Sequence, residues 1–289
     1  MFDDFEQGRL TTSGAQIAYV RGGAGPPLLL LHGYPQTKAI WSRVAGRLTR
    51  DFTVIAADLR GYGDSSKPRG GDDHGRYAKR AMALDQVELM AALGFSRFHL
   101  VGHDRGARVG HRLALDHPDR LERLALLDIV PTRTMYATAN RATATGYFHW
   151  FFLIQDYDLP ERLIGGDPDR WLDHMFSRWA PNEWMRPEDA ADYRRCFRDP
   201  AAIHATCEDY RAAASIDLVH DEADLDRRIA APLLVLWGKR GLVGRNFDVL
   251  ATWRERANSV VGEAFDCGHY LPEERPEETA AAKRRFLLS

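Results

Sequence analysis

Short apolar runs alternate with longer amphipathic ones through the first half of the chain. Gln16–Arg21 and Pro27–Leu31 read as strands, parted by the turn Gly22-Gly23-Ala24-Gly25. The spacing predicts a helix over 40–48, with Ile40, Trp41, Val44 and Leu48 on one side. Thr53–Ala57 is β-branched and apolar, hence a strand, and the Gly-, Ser- and Asp-rich 58–68 is a loop. A long helix is predicted over 77–93, stopped by Gly94. Phe98–Val101 is a strand, 107–116 a helix, and Leu121–Leu127 a strand ending at Asp128. Strands alternating with helices predict the α/β class, a mostly parallel sheet wrapped by helices.

The pattern changes after Pro131. From there to Ser215 no buried strand stands out, and four of the seven tryptophans (Trp150, Trp171, Trp179, Trp184) fall among charged and aromatic residues. Helices broken by Pro and Gly fit this stretch. Sheet-type sequence then returns: a strand at 233–237, a helix at 247–256, a strand at 259–265 and a helix at 277–286. The organisation expected is one core domain, 1–130 with 216–289, carrying an inserted helical cap at 131–215 rather than a second tandem domain.

Composition narrows the function. Lys+Arg total 39 and Asp+Glu 41 over 289 residues, a formal charge of −2, which argues against a nucleic-acid partner held by bulk charge. Hydrophobic residues at 45% and charged residues at 28% are ordinary for a folded domain. Cys196, Cys207 and Cys267 form no C-x-x-C pair, so neither a disulfide framework nor a structural zinc site is indicated. The acidic start, Met1–Glu6, does not read as a signal peptide, and no run approaches the ~18 apolar residues of a membrane span. A cytoplasmic protein acting without a membrane is the expectation.

The chemistry gathers at Val101-Gly102-His103-Asp104-Arg105-Gly106, the Gly-x-nucleophile-x-Gly spacing of a nucleophile elbow between a strand and a helix. The bland alternative is a Gly-rich turn with a surface Asp. An Asp at the centre restricts the reaction. Attack on a carbonyl gives an anhydride, whereas attack on a saturated carbon expels a leaving group and gives an ester that water can cleave. The second step needs a base. His269 lies just beyond the last strand, and Asp128, at the end of 121–127, is the acid to orient it, because no carboxylate follows the strand at 233–237 until Asp248. The backbone N–H groups of Tyr34, in the loop His32-Gly33-Tyr34-Pro35, and of Arg105 are candidates for an oxyanion hole. Arg105 and Arg108, three apart on the first turn after the elbow, suit a substrate carboxylate held by both guanidinium groups. A solvated or salt-bridged pair is the bland alternative.

These segments together resemble the fluoroacetate dehalogenases of the α/β-hydrolase fold. The resemblance runs from His32–Thr37 (HGYPQT) through Asp58–Ser65 (DLRGYGDS) and Gly102–Arg108 (GHDRGAR) to Cys267–Glu274 (CGHYLPEE). In the cap it covers 147–150 (YFHW), 164–168 (IGGDP) and 207–211 (CEDYR). It implies Asp104 as nucleophile, His269 as base, Asp128 as its acid, and Arg105 and Arg108 as carboxylate clamp. It further implies His149, Trp150 and Tyr210 as a halide pocket. Fluoride is small and strongly hydrated, so three N–H and O–H donors are a reasonable replacement for its water. A small haloacid substrate, no metal or organic cofactor, and a homodimer are also implied. Tyr34 stands where Phe is common in the family loop; the backbone N–H is the working group there, so little depends on it.

Other readings remain. An epoxide hydrolase of the same fold would use the same Asp and His with two cap tyrosines, and Tyr147, Tyr157, Tyr193 and Tyr210 are available. A haloalkane dehalogenase usually has Trp where Arg105 stands, and a serine esterase is disfavoured by Asp104. A non-catalytic binding protein of this fold commonly lacks a triad member, whereas all three candidates occur here.

Overall fold

The computed structural model describes residues 1–156, 158–178 and 184–289, and of Trp179 the backbone. Tyr157, one of the tyrosines weighed for epoxide chemistry, and the Trp179 side chain lie outside the described residues. The strands are β1 (Glu6–Thr11), β2 (Gln16–Gly22), β3 (Pro27–Leu31), β4 (Thr53–Ala57), β5 (Phe98–His103), β6 (Leu121–Leu127), β7 (Leu233–Gly238) and β8 (Val260–Phe265). They form one sheet in the order β1-β2-β4-β3-β5-β6-β7-β8. β2 pairs antiparallel with β1 and β4, and every other neighbouring pair is parallel.

Parallel strands covered on both faces need apolar residues at every position. The four leucines of β3 show why. Leu29 and Leu31 enter one core cluster, Leu28 and Leu30 the other. β6 divides the same way, Leu124 and Leu126 against Ala125 and Leu127, and so does β7, Leu233 and Val235 against Leu234 and Leu236. At roughly 1.5–3 kcal/mol for each fully buried aliphatic side chain, these strands hold the scaffold that the loops hang from.

Helices α1 (Ser42–Leu48), α2 (Lys79–Ala92) and α3 (Arg105–Asp116) wrap the first half. Between β6 and β7 come α4 (Thr132–Ala137), α5 (Arg141–Gly146), α6 (Phe148–Phe152), α7 (Leu159–Gly166), α8 (Pro168–Trp179), α9 (Pro187–Phe197), α10 (Pro200–Ala214) and α11 (Ile216–Ala223). The helical run therefore continues past Ser215, where sequence patterning ends it. The chain closes with α12 (Leu242–Asn246), α13 (Val249–Arg254), α14 (Leu271–Glu274) and α15 (Pro276–Leu287). No helix among the described residues is long and apolar enough to cross a membrane.

Several boundaries differ from the sequence expectation for local reasons. The helix expected from Ile40 opens as a 3-10 turn, Lys38–Trp41, because the Thr37 side chain caps the Ala39 N–H. The helix expected from Tyr77 likewise starts at Lys79, after a 3-10 turn over Gly75–Tyr77. β5 runs on to His103, because pairing with β6 continues through His103 and Leu127. β1 has no counterpart in the reading of hydrophobic pattern. It is a half-exposed edge strand with Glu6, Gln7 and Arg9 on it, and charged edges of this kind discourage pairing with other chains.

Candidate active site

Because β3, β5, β6, β7 and β8 are parallel, their C-terminal ends open on one edge of the sheet, and the loops leaving that edge meet. The sharpest is the turn from β5 into α3. Asp104 sits there at φ 46°, ψ −112°, a conformation that costs about 1–3 kcal/mol and persists because the surroundings fix it. A Cβ on Gly102 would lie 2.5 Å from the Gly106 carbonyl oxygen, and one on Gly106 2.5 Å from that of His32, so strand, turn and helix approach too closely for side chains. Three backbone bonds hold the turn. Asp104 N–H donates to Leu127 O at 3.2 Å, Gly106 N–H to His32 O at 2.8 Å, and Arg108 N–H to Asp104 O at 3.1 Å.

The Tyr34 N–H donates to Asp104 Oδ1 at 2.9 Å, and the Tyr34–Pro35 peptide is cis. The Arg105 N–H is the first of α3, where no acceptor exists within the helix. Oδ2 of Asp104 makes no hydrogen bond among the described residues. Burial works to raise the Asp104 carboxyl pKa, yet the charges of His269, Arg108 and Arg105 outweigh it and hold the group below the usual carboxylate range.

His269 Nδ1 donates to Asp128 Oδ2 at 2.6 Å, and Asp128 Oδ1 accepts the Gly238 N–H at 2.9 Å. Asp128, at φ 52°, thus takes one bond from the histidine and one from the end of β7. The His103 ring Nε2 donates to the His269 carbonyl at 2.9 Å and helps to fix that residue. His103 is pushed down to about 3, chiefly by burial and then by the charge of His269, so it is neutral and carries a proton to donate. Burial opposes a charged His269, but the hydrogen bond and charge of Asp128, joined by Asp104, raise its pKa above the ordinary imidazole value.

The two arginines are held differently, although their spacing in the sequence treats them alike. Arg105 is fully buried and turned onto Asp209. Its Nε and Nη2 donate to the two carboxylate oxygens at 2.8 Å each, and Nη2 also reaches the Asp209 carbonyl at 2.8 Å. Nη1 is buried with no protein partner among the described residues. Arg108 donates from Nη1 to Val130 O at 2.9 Å and Thr132 Oγ1 at 3.1 Å, while its Nε has no protein partner among the described residues. Asp209 also accepts from Tyr62 Oη at 2.6 Å and from Lys79 Nζ. Sequence reading gave Asp209 no role. The one signal was its place beside Tyr210, within the same short segment of α10.

His149, Trp150 and Tyr210 come together from α6 and α10, all three buried. Tyr210 lies with its ring centroid 5.5 Å from that of His149 and 5.7 Å from that of Trp150. Among the described residues, neither the Trp150 indole N–H nor the Tyr210 hydroxyl donates to a protein group. Arg105 lies over the Tyr210 ring at 4.2 Å and Arg108 over the Trp150 ring at 4.5 Å. Burial pushes the His149 pKa well down and that of Tyr210 well up, so both are neutral. The Tyr34 ring stacks on His149 at 5.8 Å, and its hydroxyl accepts from Trp171 Nε1 of α8 at 2.5 Å, a tie between core loop and helical insertion that sequence alone did not expose.

Comparison with known proteins agrees with this architecture. The family described as alpha/beta hydrolase fold matches residues 26–276. A fluoroacetate dehalogenase from Burkholderia sp is 47% identical, covering 99% of this chain and 95% of that protein. A soluble epoxide hydrolase from Corynebacterium sp. strain C12 is 35% identical, covering 95% and 94%. Among solved structures, ALR0039 from Nostoc sp PCC 7120 superposes with a TM-score of 0.98 at 57% identity, over 99% of each chain. The epoxide hydrolase CorEH superposes at 0.90 with 32% identity, over 98% of this chain and 99% of that one. With its sheet order, its strand–turn–helix at Asp104 and a family match spanning most of its length, the chain is a hydrolase and belongs to the α/β-hydrolase family.

Proposed function

We propose that the protein hydrolyses the carbon–halogen bond of small haloacetates, converting fluoroacetate and water to glycolate, fluoride and a proton. One observation carries this reading. The carboxylate at the elbow has, buried beside it, two guanidinium groups with N–H donors and a Trp–Tyr pair with donors that no protein group takes among the described residues. An anion with a poor leaving group needs both.

The substrate carboxylate binds to Arg105 Nη1 and to Arg108. Asp104 Oδ2 attacks Cα from the side opposite the halogen. The C–O bond forms as the C–X bond breaks, and the electron pair leaves with the halide. His149, Trp150 and Tyr210 donate to the halide as its charge develops. The guanidinium groups over the Trp150 and Tyr210 rings draw electron density from them and make the N–H and O–H stronger donors. Esterification removes the negative charge of Asp104, one of the charges that raise the His269 pKa, so the neutral base is favoured when it is needed. His269 Nε2 then takes a proton from water, and the hydroxide adds to Asp104 Cγ. The oxyanion forms on Oδ1, the atom that the Tyr34 N–H already contacts. Collapse expels the glycolate oxygen, which takes the proton back from His269, and the Asp104 carboxylic acid left behind releases its proton to solvent and returns to its ionised form.

The test is halide release from fluoroacetate and chloroacetate, with Asp104→Ala as control and His269→Asn examined by mass spectrometry. Halide release lost in the first variant, and a carboxymethyl ester trapped on the Asp104 peptide in the second, are expected. Halide release that survives Asp104→Ala overturns the reading.

A second reading has one observation in its favour. Tyr147 and Tyr210 are both buried and flank His149, with ring centroids at 5.7 and 5.5 Å, so two tyrosine hydroxyls are near the elbow for an epoxide oxygen. The paired arginines weigh against it, since a neutral epoxide has no use for them. Diol formation from a simple epoxide without halide release would reverse the order.

A further inference from the structure

Beside the buried centre lies a cleft of about 280 Å³ whose walls include Tyr147, His269, Leu242, Arg178, Arg240 and Arg245. It opens directly on the candidate base. The three arginines come from separate places: α8, the turn after β7, and α12. Arg240 Nη1 donates to Asp266 Oδ1 at 2.8 Å. The other two are held by neutral groups. Arg178 donates from Nε to Gly146 O at 3.2 Å and from Nη2 to Thr145 O, and lies 5.4 Å from the Phe148 ring centroid. Arg245 Nε donates to Gly241 O at 3.3 Å. No carboxylate among the described residues pairs with Arg178 or Arg245. Among the described residues the rim thus carries three arginines, only one of them paired with a carboxylate, on a chain whose formal charge is −2. Positive charge of this kind in a concave, partly dry opening concentrates anions and raises their encounter rate.

We propose that this cleft is an anion-capture site, in which Arg178 and Arg245 hold a small carboxylate before it passes Tyr147 and His269 to reach Asp104. The inference rests on the haloacetate reading above, because only an anionic substrate gains from it. Both guanidinium groups are fixed by carbonyl bonds, so their charge is presented without being neutralised. Neither residue contacts Asp104, so their effect falls on capture and not on the chemical steps.

The experiment is kcat/KM for chloroacetate against ionic strength, in the wild type and in Arg178→Gln/Arg245→Gln. For the wild type, kcat/KM falls as salt rises and the Debye length shrinks to about 8 Å at physiological ionic strength. The double variant loses on the order of tenfold in kcat/KM at low salt, keeps kcat, and shows a flattened salt dependence. Halide release with a kcat/KM that ignores both salt and the substitutions overturns the capture site and leaves the dehalogenase reading standing. Should neither fluoroacetate nor chloroacetate be turned over, the dehalogenase reading fails, and acetate binding by calorimetry decides the cleft. Weaker binding in the double variant supports it, and equal binding overturns it.

Discussion

At the residue scale, the centre is organised by what holds each charge. The charges of His269 and the two arginines lower the Asp104 pKa, while Asp128 and Asp104 raise that of His269. This mutual support gives a signed expectation. In Asp104→Asn the His269 pKa falls, because one of the anions that raises it is gone, and imidazole NMR titration reads the change. In the proposed mechanism attack needs ionised Asp104, whose pKa is lowered, whereas ester cleavage needs neutral His269, whose pKa is raised. As pH falls from neutral, cleavage is therefore lost before attack, and the ester accumulates at mildly acidic pH in the wild type. Acid-quench mass spectrometry across pH checks this, and an ester fraction that does not grow contradicts it. Asp209 has a different part, as the positioning residue that fixes Arg105. Asp209→Asn frees that guanidinium and weakens its pairing with Lys79. KM for the haloacid rises about tenfold, the weight of one charge-assisted hydrogen bond, while kcat changes much less. Asp209→Ala leaves the buried Arg105 without its bonded carboxylate and Lys79 with only Asp217, and costs about 3–5 kcal/mol in urea unfolding. The elbow, His269 and Asp128 were readable in the sequence, because each follows a strand by a fixed local logic. The Arg105–Asp209 bond was not, since its partners are 104 residues apart and meet only when α10 folds over α3.

At the element scale, the strands that were easiest to foresee are those with both faces buried, such as Leu28–Leu31 and Leu121–Leu127. β1 escaped because one exposed edge strand carries too little apolar signal to separate it from a loop. The three arginines of the cleft escaped for the same reason as Asp209: three unrelated elements bring them together. The contact between the loop after β3 and α8 is a separate device. Trp171 and the Tyr34 hydroxyl join the core to the helical insertion, while the Tyr34 N–H faces Asp104. Tyr34→Phe removes the first and keeps the second. It should cost about 1 kcal/mol, lowering Tm by about 2–4 °C, with kcat/KM near the wild-type value. A large loss of kcat without a change in Tm would show that the hydroxyl itself takes part in turnover.

On the scale of the whole molecule, β6 and β7 lie side by side in the sheet, yet all of α4–α11 separates them in the chain. A chain cut after Ala230 keeps β1–β6 and every helix of the insertion but lacks β7, β8 and His269. Its β6 is left as an open apolar edge, with Leu124 and Leu126 on one face and Ala125 and Leu127 on the other. Such a fragment should be recovered largely as aggregate, measured by sedimentation of the expressed protein, and a soluble monomer would show that the first six strands suffice. During synthesis the same geometry imposes a schedule. The ribosome delivers Asp104, the proposed nucleophile, before the insertion and His269, the proposed base, after it, and in the interval the nascent sheet has an unfinished side. The growing chain thus lacks a complete site and is most exposed to chaperones over the same stretch of translation, and both conditions end only after β7, β8 and the loop carrying His269 have emerged.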